Sequence, residues 1–298
     1  EAKIAILNDC LKRIAKIDFQ GEIPIIASPN EFGYRSRAQW HADTRNHKIG
    51  YFKRYSHNVI DVESCPILEV KLQETLSNLR QNLNWAEFWA EFVEIETATN
   101  GEKVSVYSAE IIEPTEKISF EALGNRYFYD AESFFQGNPS LIEPLIKTAI
   151  DVEKGTNALD LFCGVGLFSL PLAQRFERII GIESNEKAVD FAKENAELAR
   201  LGNTEFFAEN VGDWLTENNL QEVDFVLLDP PRSGAEKATI EAVLKLAPNR
   251  ISYVSCDPAT LARDLKMLTE KYEIESITAI DLFPQTHHIE TVVKLKSK

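Results

Sequence analysis

Two short segments carry chemically capable side chains where apolar strands should end. Leu227-Leu228-Asp229-Pro230-Pro231-Arg232 closes an apolar run with prolines, which withdraw the chain from a sheet and leave Asp229 and Arg232 at its rim. Val254-Ser255-Cys256-Asp257-Pro258 does the same for a thiol. The carboxyl ends of parallel strands are where such sheets bind ligands. An arbitrary free cysteine is more often a buried core residue, so position is what singles out Cys256. It follows the strand's apolar run and precedes a proline-initiated helix, whose N-terminus is expected to lower a thiol pKa.

A second pair of features fits a nucleoside cofactor. Leu159-Asp160-Leu161-Phe162-Cys163-Gly164-Val165-Gly166 reads as a strand running into a glycine turn and then a helix, and glycine permits close backbone approach of a ligand. GVGLFS lacks the third glycine of the dinucleotide fingerprint, which disfavours a nicotinamide cofactor. The next strand ends at Glu183, where a carboxylate can accept both hydroxyl hydrogens of a ribose. Standing alone, Glu183 would read as a solvated strand-end acid; the glycine turn before it changes that reading. His287 and His288 are adjacent in sequence and point to opposite faces of any strand, so no shared metal ion is expected.

These residues need a sheet to hold them. From Asn157 onward, short apolar runs alternate with helical segments, the mark of a parallel α/β sheet. Strands are expected at ALDLFC, RIIGIE, TEFFAE, VDFVLLD, ISYVSC, ITAIDLF and TVVKL, with a helix over 185–200 that stops near Gly202. The first half differs. Ile4, Leu7, Leu11, Ile14 and Ile17 share one face of an amphipathic helix over residues 1–20. Strands follow over about 33–63, then a helix from Leu68 to Phe92 with Leu72, Leu76, Leu79 and Leu83 in phase. Asn100-Gly101 suits the two positive-φ positions of a type I′ turn in a hairpin over 91–111. An α+β domain over 21–125 is therefore expected before an α/β domain over 126–298.

Composition narrows the partners. The chain has 298 residues, 44% of them hydrophobic and 27% charged, and no apolar run approaches the ~20 residues that span a bilayer. A soluble, monomeric, cytoplasmic protein without a signal peptide is expected. Cys10, Cys65, Cys163 and Cys256 form no CxxC pair, so neither a disulfide framework nor a zinc site follows from their spacing. A net charge of −15 argues against indiscriminate coating of nucleic acid. Charge is uneven, however. Residues 33–57 hold Arg35, Arg37, Arg45, Lys48, Lys53 and Arg54 with aromatics between them, and Asp43 as the one acid. Such a patch either tracks a phosphate backbone and stacks bases or forms a solvated hairpin face.

The motifs together resemble the RNA uracil-5-methyltransferases, which make 5-methyluridine in transfer RNA and 23S ribosomal RNA. FFQGN around Gln136, LDLFCGVG around Phe162, LLDPPRSG around Asp229, YVSCDPATLARD around Cys256 and FPQTHHIETV with Glu290 occur in the family's order, and the likeness runs from Tyr34 to Lys294. The resemblance implies a Rossmann-like class I methyltransferase domain with a mostly parallel seven-stranded sheet, preceded by a smaller RNA-binding domain. It implies that Gln136, Phe162, Gly164, Glu183, Asn210 and Asp229 contact S-adenosylmethionine. Cys256 would be the nucleophile and Glu290 the base that takes the C5 proton, with Asp229 and Arg232 beside the uracil. Arg35, Arg37, Lys53 and Arg54 would meet RNA, 23S rRNA by preference and tRNA as the alternative.

Departures matter too. Many members bind a four-iron cluster through three cysteines and one in a CPIL segment; this chain keeps Cys65 in CPIL, but Cys10, Cys163 and Cys256 do not match the other three, so an iron–sulfur cluster is not expected in the chain as given. An RNA cytosine-5-methyltransferase would carry a second cysteine where Pro231 stands, and an amino-group methyltransferase an aromatic where Arg232 stands. A catalytically inactive RNA-binding module with this fold is the alternative from another class.

Overall fold

The computed structural model describes residues 1–110, 115–151, 153–218, 220 and 222–298. Ala2–Cys10 forms helix α1, which continues through Leu11–Ala15 as a π turn. The wider turn advances the helical phase. Ala15 therefore joins Leu7 and Leu11 in the core, whereas Ile14, expected inside, is 38% exposed. Ile25–Ile26 is a short strand, β1.

The next elements are β2 (Arg37–Asp43), β3 (Lys48–Phe52), β4 (Val59–Asp61), helix α2 (Val70–Asn82), β5 (Phe92–Thr99), β6 (Val104–Tyr107), β7 (Ile118–Ala122) and β8 (Asn125–Tyr129). Strands β4-β3-β2-β5-β6 make an antiparallel sheet in that order. Alternation along β2 buries Ala38, Trp40 and Ala42, and Leu72 and Leu76 of α2 pack with them. The helix expected as far as Phe92 stops at Asn82, and Phe92 opens β5.

The expected type I′ turn is not at Asn100-Gly101. Gly101 has positive φ, but Asn100 does not; its Oδ1 accepts the N–H groups of Glu102 and Lys103 in a longer loop. Positive φ at two successive residues occurs instead at Leu123 and Gly124, between β7 and β8. Ile111, the last residue of the expected hairpin, lies outside the described residues.

The second half contains α3 (Ile142–Ile150), β9 (Gly155–Leu161), α4 (Ser169–Ala173), β10 (Phe176–Glu183), α5 (Glu186–Leu198), β11 (Thr204–Ala208), α6 (Val211–Glu217), β12 (Phe225–Leu228), α7 (Lys237–Leu246), β13 (Arg250–Ser255), α8 (Pro258–Leu268), β14 (Tyr272–Ile280) and β15 (Glu290–Ser297). All seven expected strands form, and β1 adds an eighth beside β14, giving the order β1-β14-β15-β13-β12-β9-β10-β11. Every neighbouring pair is parallel except β13/β15 and β14/β15. Strand order reverses between β9 and β12, the switch point where such sheets open a crevice.

Two compact units result: residues 1–29, 121–127 and 141–298, and residues 30–120 and 128–140. The expected boundaries at 20 and 125 differ because Leu7 and Leu11 belong to the large sheet's core, with Leu261, Leu265 and Leu268 of α8. Residues 128–140 belong to the smaller unit.

Candidate active site

The rim is built by strand ends. Phe162 follows β9 in the left-handed region at φ 66°, a conformation costly for a residue with a Cβ, and its N–H is held by the Ile182 carbonyl at 2.8 Å. Gly164 also has positive φ, and a side chain there would meet nothing within 4 Å, so its backbone borders open space. The Gly164 N–H donates to Glu183 Oε2 at 3.2 Å, and Glu183 Oε1 accepts from the Asn185 N–H at 2.9 Å. Glu183 thus braces the glycine turn while standing at the end of β10. Asn210 caps α6 by accepting the Gly212 and Asp213 N–H groups on Oδ1. Gln136 belongs to the smaller unit, where it is buried.

Asp160, on β9 under the glycine turn, was missed by the sequence reading. It is fully buried; Ser169 Oγ donates to Oδ2, and Oδ1 has no protein partner. Burial pushes its carboxyl up to about 7, against the hydrogen bond from Ser169. Its signal was an acid inside an otherwise apolar strand. An orphaned buried acceptor beside a glycine turn suits a polar ligand.

Across the switch point stand the other candidates. Asp229 follows β12, with its N–H on the Leu161 carbonyl. Solvent still reaches part of its surface, but the surrounding protein desolvates the carboxyl, and that burial together with the nearby Glu290 holds it well above the usual carboxylate range. Glu290 opens β15. Because β15 runs antiparallel, its first residue lies at the rim where the parallel strands finish. Read alone it would be a surface acid, yet it is 3% exposed, and burial pushes it up to about 8 while Arg232 opposes the rise. Burial raises both carboxyls, and the charge of Glu290 raises Asp229 further, so the two titrate as a coupled pair.

Cys256 is half-buried at the end of β13. The expected lowering of its pKa does not occur: burial first, then Glu290, push the thiol up to about 12, and Arg232 offsets only part. The physical reason is local. Asp257 caps α8, its Oδ1 taking the Ala259 and Thr260 N–H groups, so a carboxylate already answers that helix terminus.

Arg232 itself is exposed, on a loop fastened to α8. Its carbonyl accepts Thr260 Oγ1, and the Ala235 N–H donates to Asp264, which also accepts the Tyr253 hydroxyl at 2.6 Å. Gly234 turns this loop at φ 76°, where a Cβ would stand 2.8 Å from Asp264 Oδ2. The YVSCDPATLARD motif therefore supplies a thiol and also the clamp for the neighbouring loop.

In the smaller unit, Arg37 departs from its expected role. Its guanidinium donates to the Ala131 and Ser133 carbonyls and to Glu96, so those donors serve the fold. Arg35 Nε donates to the Arg37 carbonyl. Lys53 and Arg54 are exposed, and Arg54 lies over the Tyr55 ring. Cys65 is half-buried, bonded through its backbone to Gln73. Among the described residues no group of three or more His, Cys, Asp or Glu could hold a metal ion, and no helix is long and apolar enough to cross a membrane. A groove of about 520 Å³ beside Lys193, Arg200 and Phe206 opens toward the start of β11, away from the strand ends, and holds none of the candidate residues.

A family model described as tRNA (uracil-5-)-methyltransferase matches residues 66–298. An RNA methyltransferase of Thermosynechococcus vestitus is 30% identical over 99% of this chain and 78% of its own length. The 23S rRNA (uracil(1939)-C(5))-methyltransferase RlmD of an Enterobacter species is 32% identical over 91% of this chain and 73% of its own. Among solved structures, the tRNA (uracil-54, C5)-methyltransferase of Pyrococcus abyssi, in complex with S-adenosyl-L-homocysteine, is 26% identical with a TM-score of 0.77, covering 98% of this chain and 82% of that one.

Proposed function

The chain belongs to the tRNA (uracil-5-)-methyltransferase family, and from that premise we propose that it methylates one uridine of 23S rRNA through a covalent adduct on Cys256. It is an S-adenosylmethionine-dependent RNA uracil-5-methyltransferase with a class I fold. The observation that carries the covalent reading is the meeting of a thiol, two buried carboxyls and a guanidinium at one rim.

Phe162, Gly164, Glu183, Asn210 and Asp229 hold the cofactor; Gln136 takes the same role on the family resemblance alone. The residues suit it: open space over Gly164, a strand-end carboxylate for the ribose and an orphaned acceptor on Asp160. When bound, S-adenosylmethionine supplies an electrophilic methyl group.

The remaining chemistry belongs to the protein and the base. Uracil C5 is a weak nucleophile, and addition of Cys256 Sγ to C6 makes the ring an enolate with carbanion character at C5. The thiol proton leaves to solvent, and Arg232 offsets the charge that develops on the ring. Once C5 carries the methyl group, Glu290 takes the C5 proton; the C6–S bond then breaks, C5=C6 re-forms and the thiolate is released. General-base help of this kind contributes about 10²–10⁴-fold. Glu290 must be ionised at that moment, and Arg232 favours that state.

The 23S rRNA assignment rests on the relatives about 30% identical that carry that name, and the tRNA reading on the Pyrococcus structure and the family description. Incubating the protein with labelled methyl donor and either 23S rRNA or tRNA from cells lacking it tests the choice. Label in 5-methyluridine of 23S rRNA alone supports the proposal; label in tRNA alone overturns it.

A further inference from the structure

Helix α1 carries one charged side chain that turns inward. Lys3 Nζ donates to Asp281 Oδ1 at 2.6 Å, to the Phe283 carbonyl at 2.9 Å and to the His288 carbonyl at 2.7 Å. An ammonium has three donors, and all three are used. The Lys3 and Asp281 side chains are 15% and 22% exposed, so the contact is drier than a surface ion pair and is worth more than one.

The position of these acceptors matters more than their number. Ile280, the last residue of β14, pairs with Glu290, the first of β15, and residues 281–289 are the loop between them. Within the loop, Thr286 Oγ1 donates to the Phe283 carbonyl and accepts the His288 N–H. Those bonds shape its middle. Lys3 ties its beginning, at Asp281 and Phe283, to its end, at His288, two residues before Glu290. Its own helix is anchored independently, by Leu7 and Leu11 against Leu261, Leu265 and Leu268 of α8, the helix that begins two residues after Cys256.

We propose that Lys3 is a positioning residue for Glu290: its ammonium closes the 281–289 loop and sets the carboxyl where it meets the C5 proton. The inference rests on Glu290 being the proton acceptor. Without Lys3, two carbonyls and a carboxylate lose a charged partner, the loop loses its closure, and Glu290 drifts. Misplacement on the order of 1 Å costs a reaction up to roughly 100-fold.

The effect falls on one step. In Lys3→Met, covalent attachment of labelled methyl to RNA through Cys256 should proceed near the wild-type rate, and release of 5-methyluridine should slow roughly 10- to 100-fold. Asp281→Asn should shift the same step by less, and thermal unfolding would show that both variants fold. The double variant Lys3→Met, Glu290→Gln should release product no more slowly than Glu290→Gln alone. Wild-type release in Lys3→Met while Glu290→Gln stalls overturns the positioning role alone, as does slowed attachment with normal release, or additive slowing in the double variant. Normal turnover in Glu290→Gln overturns the base assignment, and the inference with it.

Discussion

Cys256 and Glu290 are neighbours across an antiparallel ladder: Ser255 pairs with Thr291, and one step further the chain places the thiol beside the carboxyl. The carboxylate disfavours the thiolate. Burial and Glu290 favour the protonated thiol, so under the proposed mechanism the thiolate forms with RNA in place.

Cys256→Ala should abolish methylation while leaving S-adenosylmethionine binding within about twofold, because the thiol meets the base and not the cofactor site. Calorimetric titration of the donor together with a methyl-incorporation assay measures both. Turnover surviving in the alanine variant removes the covalent mechanism.

The pH dependence has a definite sign. Glu290 is pushed up to about 8 and Cys256 to about 12, and both must lose a proton to act, so kcat/KM should climb with pH from about 6 past about 8. Stability runs the other way. A carboxyl raised in the folded state favours folding below its unfolded pKa, and that contribution is lost as pH rises through about 8. Glu290→Gln should therefore melt a few degrees above wild type at alkaline pH and show little difference near pH 4. A variant that melts below wild type at alkaline pH would show that the buried carboxyl carries no such penalty.

Much of this rim was legible because the motifs that carry it are local. DPPR and SCDP each announce a strand end by their own prolines, and the glycine turn announces itself. What was not legible depends on residues distant in sequence. The direction of the Cys256 shift is set by burial first and by Glu290 second, and the helix terminus that should have opposed it is spent on Asp257. Arg37 reads as a phosphate contact until the Ala131 and Ser133 carbonyls appear beside it. Strand β1 is only Ile25–Ile26, too short to show a period, and exists because β14 has a free edge. Ile14 keeps α-helical spacing with Leu7 and Leu11, so nothing in the sequence period announces the π turn that buries Ala15 in its place.

Glu183→Ala should weaken cofactor binding by about 1.5–3 kcal/mol through loss of a charge-assisted hydrogen bond to ribose. The same carboxylate also accepts the Gly164 and Asn185 N–H groups, so part of the loss would come from a loosened turn. Glu183→Gln keeps an acceptor for those amides and should recover some affinity. Equal dissociation constants for wild type and Glu183→Ala would refute the assignment.

Glu290→Gln should stop the enzyme between two bond changes. Methylation of C5 precedes proton removal, so the variant should still attach through Cys256 and still accept the methyl group, but it cannot clear the C5 proton that breaking the C6–S bond requires. A labelled protein–RNA band that survives denaturation should accumulate, and its amount should approach one per active site. Combining Cys256→Ala with Glu290→Gln should erase the band, since no C6–S bond forms. The glutamine is nearly isosteric with the native side chain and removes a charge that burial disfavours, so loss of folding is not the expected explanation of a stall. If the single variant turns over normally, or binds RNA and donor without accumulating label, another carboxylate of the rim must take the proton, with Asp229 the first to replace. A catalytically inactive RNA-binding protein with this fold would give no labelled band in any variant, so the same gel separates that reading from the enzyme.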